Sequence, residues 1–212
     1  PIIVTRIIDP KLIELNSLGY LNGHTPFSAY LAFLSSACAL IFDYQWVAVS
    51  NERSSDEGNT LYKGRVINHQ YSKSLDFETN FQAYWQQYIA NTSGYYSLLR
   101  PLYELQIAKI FARFPKYFPL FKSCNKKQKS GAWCGQCPKC LSIALTLLPW
   151  TDVKTIKNIF NGNNPLETQD NQELLSQMTG KSGNKPFECV TTIEEAQICL
   201  EFIAKGQTPK VS

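Results

Sequence analysis

The sequence predicts an α/β fold, in which a mostly parallel sheet with flanking helices is followed by a helical carboxyl-terminal tail. Strand patterns alternate with amphipathic helical patterns over residues 1–120, and the pattern is helical from Pro138 onward. The composition is globular, with 44% hydrophobic residues among 212 and a net charge of +4, too small to indicate a polyanionic partner. We therefore predict an α/β domain at 1–120 and a second region at 121–212 that packs on it.

Each predicted element has a local cause. Runs of β-branched and aromatic residues predict the strands, and apolar side chains at helical spacing predict the helices. Thr25 is a good N-cap for a helix that starts with Pro26, and Thr192 with Glu195 forms a capping-box pattern before the last helix. In chain order, the predicted elements are strand 2–4, helices 9–18 and 26–43, strands 46–49 and 65–67, a helix through 77–89, strand 95–99, and helices 104–114, 140–148, 152–160, 172–178 and 193–204.

Polar segments follow three of these strands, at residues 50–59, at residues 68–73 and at Arg100. Ligands of parallel sheets bind beyond the carboxyl ends of the strands, so we expect these segments to meet in one cleft. The first segment offers carboxylates for magnesium and an arginine for phosphate or carboxylate. His24, one of two histidines, precedes a predicted helix N-terminus, where free N–H groups attract anions such as phosphate.

The cysteines predict a metal site. Two-residue spacers separate three of them, and four thiolates are the ligand set of a closed zinc site, although an iron–sulfur cluster takes the same ligands. The odd total of seven favours a metal in a reducing compartment over disulfides. Cys38 and Cys199 lie on apolar helical stripes and are expected in the core. The predicted metal ligands are Cys124, Cys134, Cys137 and Cys140.

Six motifs spread along the chain carry a family resemblance. They lie at residues 21–28, 50–59, 68–74, 98–102, 133–140 and 185–190. Together they look like the motifs of the UDP-N-acetylmuramoyl-L-alanyl-L-glutamate epimerases, the MurL family. More distantly, the order of the parts resembles the PP-loop ATP pyrophosphatases such as the cyano-deazaguanine synthases, which share a Rossmann-like sheet and a late zinc knuckle. The glycine-rich PP-loop motif is absent and would lie upstream of Pro1, so the chain resembles the carboxyl-terminal half of the enzyme.

The resemblance implies an ATP- and magnesium-dependent epimerisation in the cytoplasm, as a step of peptidoglycan precursor synthesis. The terminal L-glutamate of UDP-MurNAc-L-Ala-L-Glu would become D-glutamate through an acyl-adenylate. Zinc would be a structural cofactor, and the partners would be the UDP-linked substrate, ATP and the missing amino-terminal half. The residues expected in the nucleotide and substrate cleft are Asn22, His24, Thr25, Asn51, Glu52, Arg53, Glu57, Asn68, Lys73 and Arg100.

Three residues are candidates for moving the α-proton. His69 is the first choice for general acid or base, because an imidazole titrates near working pH. Cys189 is the second choice, since a thiolate can exchange a proton at carbon, and Glu188 beside it could assist. Inversion needs proton removal and return on opposite faces, so a His69/Cys189 pair is also a hypothesis.

Two other functions stay open. A PP-loop enzyme that modifies a nucleobase is the alternative among enzymes. A zinc-ribbon module that contacts nucleic acid through lysines is the alternative from another class, although most polar motifs lie far from the cysteines in sequence. The lysines concerned are Lys122, Lys126, Lys127, Lys129 and Lys139. The most apolar window, 31–42, is shorter than the roughly 20 residues of a membrane span, so we expect no membrane segment.

Overall fold

A computed structural model describes residues 1–20, 26–58 and 60–206 of the chain. Each predicted helix has a counterpart within a few residues, and α2 begins one residue after Pro26. The helices are α1 (Pro10–Ser17), α2 (Phe27–Ile41), α3 (Leu75–Tyr88), α4 (Glu104–Phe111), α5 (Pro138–Leu147), α6 (Val153–Ile159), α7 (Gln172–Met178) and α8 (Ile193–Ala204). The strands are β1 (Trp46–Val49), β2 (Thr60–Tyr62), β3 (Arg65–Ile67) and β4 (Gly94–Ser97).

The parallel sheet consists of β1 and β4 in the described residues, with Val47 opposite Tyr95 and Val49 opposite Ser97. These four side chains share one face, because partners in register point to the same side. Phe81 of α3 is buried against that face, and α2 packs there as well. The predicted α/β class is confirmed in this reduced form, as a small parallel sheet with flanking helices.

Two strand predictions are wrong in part or in full. The strand at 65–67 forms, but it pairs antiparallel with β2 instead of joining the parallel sheet. Lys63 and Gly64, between the two strands, have φ of 48° and 75°, and two adjacent positive φ values are typical of a hairpin turn. The predicted strand at 2–4 is absent. Residues 1–9 have no regular structure and are exposed, and no strand of the described residues lies beside them to form a backbone ladder.

The second region is built around α5, which packs against α4 and α8. Leu141 and Leu145 of α5 are fully buried, and α8 carries the predicted capping box. Cys199 of α8 is fully buried as expected, and its burial raises the pKa of the thiol to about 12. Cys38 of α2 is only partly buried, so its placement in the core is wrong. The domain boundary at residue 120 stays a prediction.

No described helix combines the length and the apolar character that crossing a membrane requires.

Candidate functional site

An open cleft of about 450 Å³ lies where β1 and β4 end. This is the position that the sheet topology predicts for a ligand. Asn51 lines the cleft directly after β1, and its side-chain amide donates a 3.2 Å hydrogen bond to Ser97 Oγ at the end of β4. The amide is therefore held in one orientation. Other side chains of the cleft come from α2, β4 and the two strand ends: Ser28, Leu31, Tyr95, Leu98 and Leu99.

The segment after β1 is fixed to its surroundings by two buried serines. Ser54 Oγ accepts a 2.9 Å hydrogen bond from the backbone N–H of Glu104 at the start of α4. Ser55 Oγ lies 2.6 Å from the backbone oxygen of Glu52 and 3.0 Å from that of Lys73. The predicted convergence of this segment with residues 68–73 is therefore present, although β3 lies in the hairpin.

Arg100 joins these segments to the sheet. Its Nη1 donates to the backbone oxygen of Glu52 (3.0 Å), and its Nη2 donates to that of Lys73 (2.7 Å). Nη2 also pairs with the carboxylate of Glu78 at 3.0 Å, and both side chains are nearly buried. The same carboxylate accepts from the backbone N–H of Ser97 at 3.0 Å and from its hydroxyl. Most N–H groups of the guanidinium already donate to protein acceptors, so the geometry indicates that Arg100 positions the two loops and the end of β4. Its predicted contact with a ligand stays a prediction.

Sequence reasoning missed two buried charged residues. Glu78 lies on the same stripe of α3 as Phe81 and Trp85, and an acid on an apolar stripe is a signal for a buried partner. Lys185 lies inside a motif that the sequence analysis singled out, but it was not assigned to the site. Its Nζ pairs with Glu57 at 2.5 Å, and its side chain is 5% exposed.

The segment at 185–190 lies against the polar segment at 68–73. Lys73 Nζ is 3.2 Å from Cys189 Sγ, although 116 positions separate the two residues. The rings of His69 and Phe187 meet edge to face, with centroids 6.1 Å apart. The structure thus brings the loops of His69 and Cys189 together. The Lys73 ammonium donates a hydrogen bond to the sulfur and so fixes its position beside the loop of His69.

The remaining predicted residues have different surroundings. Asn68 donates to the backbone of Ser55 at 2.7 Å and so braces the loop. The guanidinium of Arg53 lies over the Tyr103 ring, 5.1 Å from its centroid. The carboxylate of Glu188 accepts a 2.7 Å bond from Asn125, beside the cysteine cluster. Their chemical roles stay predictions. Three predicted cleft residues lie outside the described part of the chain: Asn22, His24 and Thr25.

The four predicted metal ligands form one cluster that could hold a metal ion. Three sulfur pairs are 4.0, 3.7 and 3.5 Å apart. A tetrahedron with zinc–sulfur bonds of about 2.3 Å requires separations of about 3.8 Å, so the donor set fits zinc. The side-chain hydrogen bond between Cys137 and Cys140 lowers the pKa of Cys137 to about 4. Backbone N–H groups of Lys127 and Gln136 donate to the sulfurs of Cys124 and Cys134.

Comparisons with known proteins agree on one family. The protein of Salinispora tropica is 37% identical over 207 residues, which cover 94% of this chain and 44% of the relative. The Micromonospora protein is 36% identical over 212 residues (97% and 46%), and the Xanthomonas oryzae protein is 36% identical over 207 residues (95% and 46%). All three relatives are named UDP-N-acetyl-alpha-D-muramoyl-L-alanyl-L-glutamate epimerase. The chain thus spans less than half the length of these relatives. No solved structure matches the chain.

Family models match both parts of the sequence. Residues 1–98 match the MurL N-terminal domain and residues 120–210 match the MurL C-terminal domain. Because two domains of the same family account for most of its length, the chain belongs to the MurL family.

Proposed function

We propose that this chain forms part of an ATP- and magnesium-dependent epimerase that converts the terminal L-glutamate of UDP-MurNAc-L-Ala-L-Glu to D-glutamate. The names of the relatives support the substrate and the reaction. The observation that carries the proposal is the contact between two segments that are distant in sequence, 68–73 and 185–190. Lys73 Nζ of the first segment is 3.2 Å from Cys189 Sγ of the second, and the ring of His69 contacts that of Phe187. The partners would be the UDP-linked substrate, ATP and the remaining half of the protein, in the cytoplasm.

The chemistry explains why ATP is needed. The α-proton of a carboxylate is hard to remove, because the carbanion forms beside a negative charge. In the proposed route the α-carboxylate attacks the α-phosphorus of ATP, pyrophosphate leaves, and the acyl-adenylate provides a neutral carbonyl that accepts the charge. A base removes the α-proton, an acid returns a proton to the opposite face, and water releases AMP and the D-glutamate product.

The two sides of the reaction need different proton carriers. His69 is the proposed first carrier, because imidazole accepts and donates protons near neutral pH. Cys189 is the proposed second carrier, supported by the adjacent Lys73 ammonium. Glu188 could assist Cys189, although its bond to Asn125 directs its carboxylate toward the cysteine cluster.

The cleft beyond β1 and β4 is the proposed site for part of the nucleotide or substrate, with Asn51 as an oriented amide. For magnesium, we propose Glu52. Asp56 already accepts a hydrogen bond from the backbone N–H of Leu75, and Glu57 is paired with Lys185. Oxygen ligands from carboxylates are those that magnesium prefers.

We also propose that the cysteine cluster holds one structural zinc ion. Four buried or half-buried thiols at tetrahedral separations support this choice. Zinc there would hold Cys124 next to the amino end of α5, where the last two ligands lie. An iron–sulfur cluster is the alternative that metal analysis distinguishes.

Two of the five lysines near the cysteines have protein partners: Lys139 lies 3.7 Å from the largely buried carboxylate of Glu104, and Lys122 lies over the Trp133 ring. Lys126, Lys127 and Lys129 are exposed, so the names of the relatives, and not these side chains, favour the enzyme over a nucleic-acid-binding module. The alternative of a PP-loop enzyme for nucleobases stays open, and its substrate would distinguish it.

The decisive experiment uses the full-length protein with ATP, magnesium and UDP-MurNAc-L-Ala-L-Glu in deuterated water. Chiral analysis of the released glutamate should find D-glutamate with one deuterium at the α-carbon, and AMP and pyrophosphate should form with it. A parallel reaction without ATP is the control and should leave L-glutamate unlabelled. Absence of D-glutamate in the complete reaction would contradict the proposal.

A further inference from the structure

An apolar groove lies between α2, the first residues of the chain and the start of β1, and no residue of β4 lines it. It has a volume of about 300 Å³. Trp46, at the start of β1, lines the groove and is 66% exposed, and its ring also lies over Gly94 and beside Tyr96 of β4. Ile2 and Val4 are 41% and 50% exposed. We call this surface the β1 groove. The side chains that define it are Ile2, Val4, Leu31, Leu34, Cys38 and Trp46.

The sheet at this groove is incomplete by the usual rules of parallel sheets. Parallel strands are normally buried on both faces and belong to larger sheets. Within the described residues, β1 and β4 pair only with each other, so the outer edge of β1 has backbone groups without a strand partner. Ala48, on the outer face beside Trp46, is exposed as well. An edge of this kind is a template for another strand.

Helix α2, beside the groove, also has an apolar surface that further protein would cover. None of its fifteen residues is charged, yet only Ala32, Ser36 and Ala39 are buried. Leu31 on the groove side is 42% exposed, and Ile41 at the end of the helix is 73% exposed. A helix that is apolar all round is normally buried on all sides. Another layer of protein is therefore expected on α2.

We propose that the β1 groove and the exposed side of α2 are covered by the half of the full-length family protein that this chain does not span, with a strand added beside β1. The chain covers only 44% to 46% of its relatives, so in a full-length family protein more than half of the polypeptide is available to pack on it. Ile2 and Val4, two exposed apolar residues of an irregular segment, line the groove, so no regular element of the described chain covers it on that side. A segment of the same chain also has a high effective concentration, which favours it over a second copy.

Site-specific photocrosslinking in the full-length protein tests this inference, which does not depend on the proposed chemistry. Benzoylphenylalanine replaces Trp46 in one variant and Ile41 in a second, so that the test survives if one substitution prevents folding. Val153 on α6, 42% exposed, is the control position. Equal amounts of ¹⁵N-labelled and unlabelled protein are mixed before irradiation, and crosslinked peptides are identified by mass spectrometry.

The expected result is crosslinks within one molecule, from positions 41 and 46 to peptides outside the 212 residues, at a yield well above that to the same peptides from position 153. Crosslinks between labelled and unlabelled molecules alone would instead identify a second copy as the occupant and overturn the proposal. Crosslinks confined to the 212 residues, or none above the control, would also overturn it. The deuterium assay for epimerisation is independent, so either proposal can fail alone.

Discussion

Helices α2 and α5 belong to the two regions of the molecule and differ in how their apolar residues are used. α5 buries seven of its ten residues between the cysteine cluster and α8, whereas α2 buries three of its fifteen. Both helices lack acidic residues, and α2 also lacks basic ones. The second region therefore forms a closed core together with α4, and the first region has an apolar surface that its own residues do not cover. The local sequence pattern of a helix therefore does not determine how much of the helix is buried. Burial depends on how much other chain is available to pack against the helix.

Loss of a cysteine from the cluster should lower stability more than any other substitution proposed below. Cys137→Ser in the full chain should lose one bound zinc and lower the free energy of unfolding by several kcal/mol, because metal binding at such sites is coupled to folding. Metal analysis and urea unfolding measure both effects. Cys38→Ser is the matched control, since Cys38 lies outside the cluster, and it should retain zinc. Iron in the wild-type protein, or a Cys137 variant with full zinc content and unchanged stability, would contradict the prediction.

The catalytic proposal can be tested with one residue from each side of the boundary. His69→Gln in the full-length enzyme should keep substrate-dependent pyrophosphate release and lose about 10²–10⁴-fold in D-glutamate formation and deuterium uptake, the usual contribution of a general acid or base. Cys189→Ala should behave in the same way if it is the second carrier, and Cys38→Ala should stay active. Joint loss of pyrophosphate release and epimerisation would instead assign His69 to nucleotide binding or to the scaffold.

The buried ion pair between Glu78 and Arg100 should stabilise the first region. Glu78→Gln removes the nearer and more buried counter-charge of the guanidinium and leaves Asp56, 3.7 Å away and partly exposed. Breaking a buried pair typically costs about 3–5 kcal/mol, and the remaining Asp56 charge should place the loss at the lower end of that range. Urea unfolding should detect this loss. Glu201→Gln is the control, because Glu201 and Lys205 form an exposed pair whose loss should change stability by less than about 1 kcal/mol. Equal effects of the two substitutions would mean that the loops do not depend on the Arg100 pair.

A smaller effect on stability, which depends on pH, is expected at Glu104, the first residue of α4, whose carboxylate faces Lys139 of α5. Burial raises the pKa of this carboxyl above its ordinary 4.5, and the charge of Lys139 opposes this only in part. The folded state then holds more protons than the unfolded state just above pH 4.5, so this group's contribution makes stability fall as pH rises through the folded pKa. Glu104→Gln should remove that contribution. Urea midpoints of both proteins at several pH values from about 4 to 7 test it, and parallel curves would contradict it.

Sequence reasoning located most elements and much of the site. The helices follow from periodicity and caps, as the Thr192 and Glu195 box at α8 demonstrates. The cysteine cluster follows from spacing, because zinc-type ligands are close in sequence. The failures concern pairing between residues that are far apart in sequence. The residues of β3 predict a strand, but they do not determine whether that strand pairs in a hairpin or in a parallel sheet. Glu78 was missed because its partner Arg100 is 22 positions away, and Cys38 was placed in the core because an apolar stripe does not reveal how much of α2 stays exposed.

Arg100 has a consequence for how the site opens. Its guanidinium holds the backbone oxygens of Glu52 and Lys73 and the carboxylate of Glu78, so that Arg100 itself, the segment after β1 and the stretch at 73–78 are three joined stretches of chain. No one of these stretches can leave its place without exposing charge that the others compensate. Slow amide exchange should therefore report a single opening free energy shared by all three segments, as a cooperative unit does. The loop of His69 and the segment after β1 are thus expected to open and close together, as one thermodynamic unit.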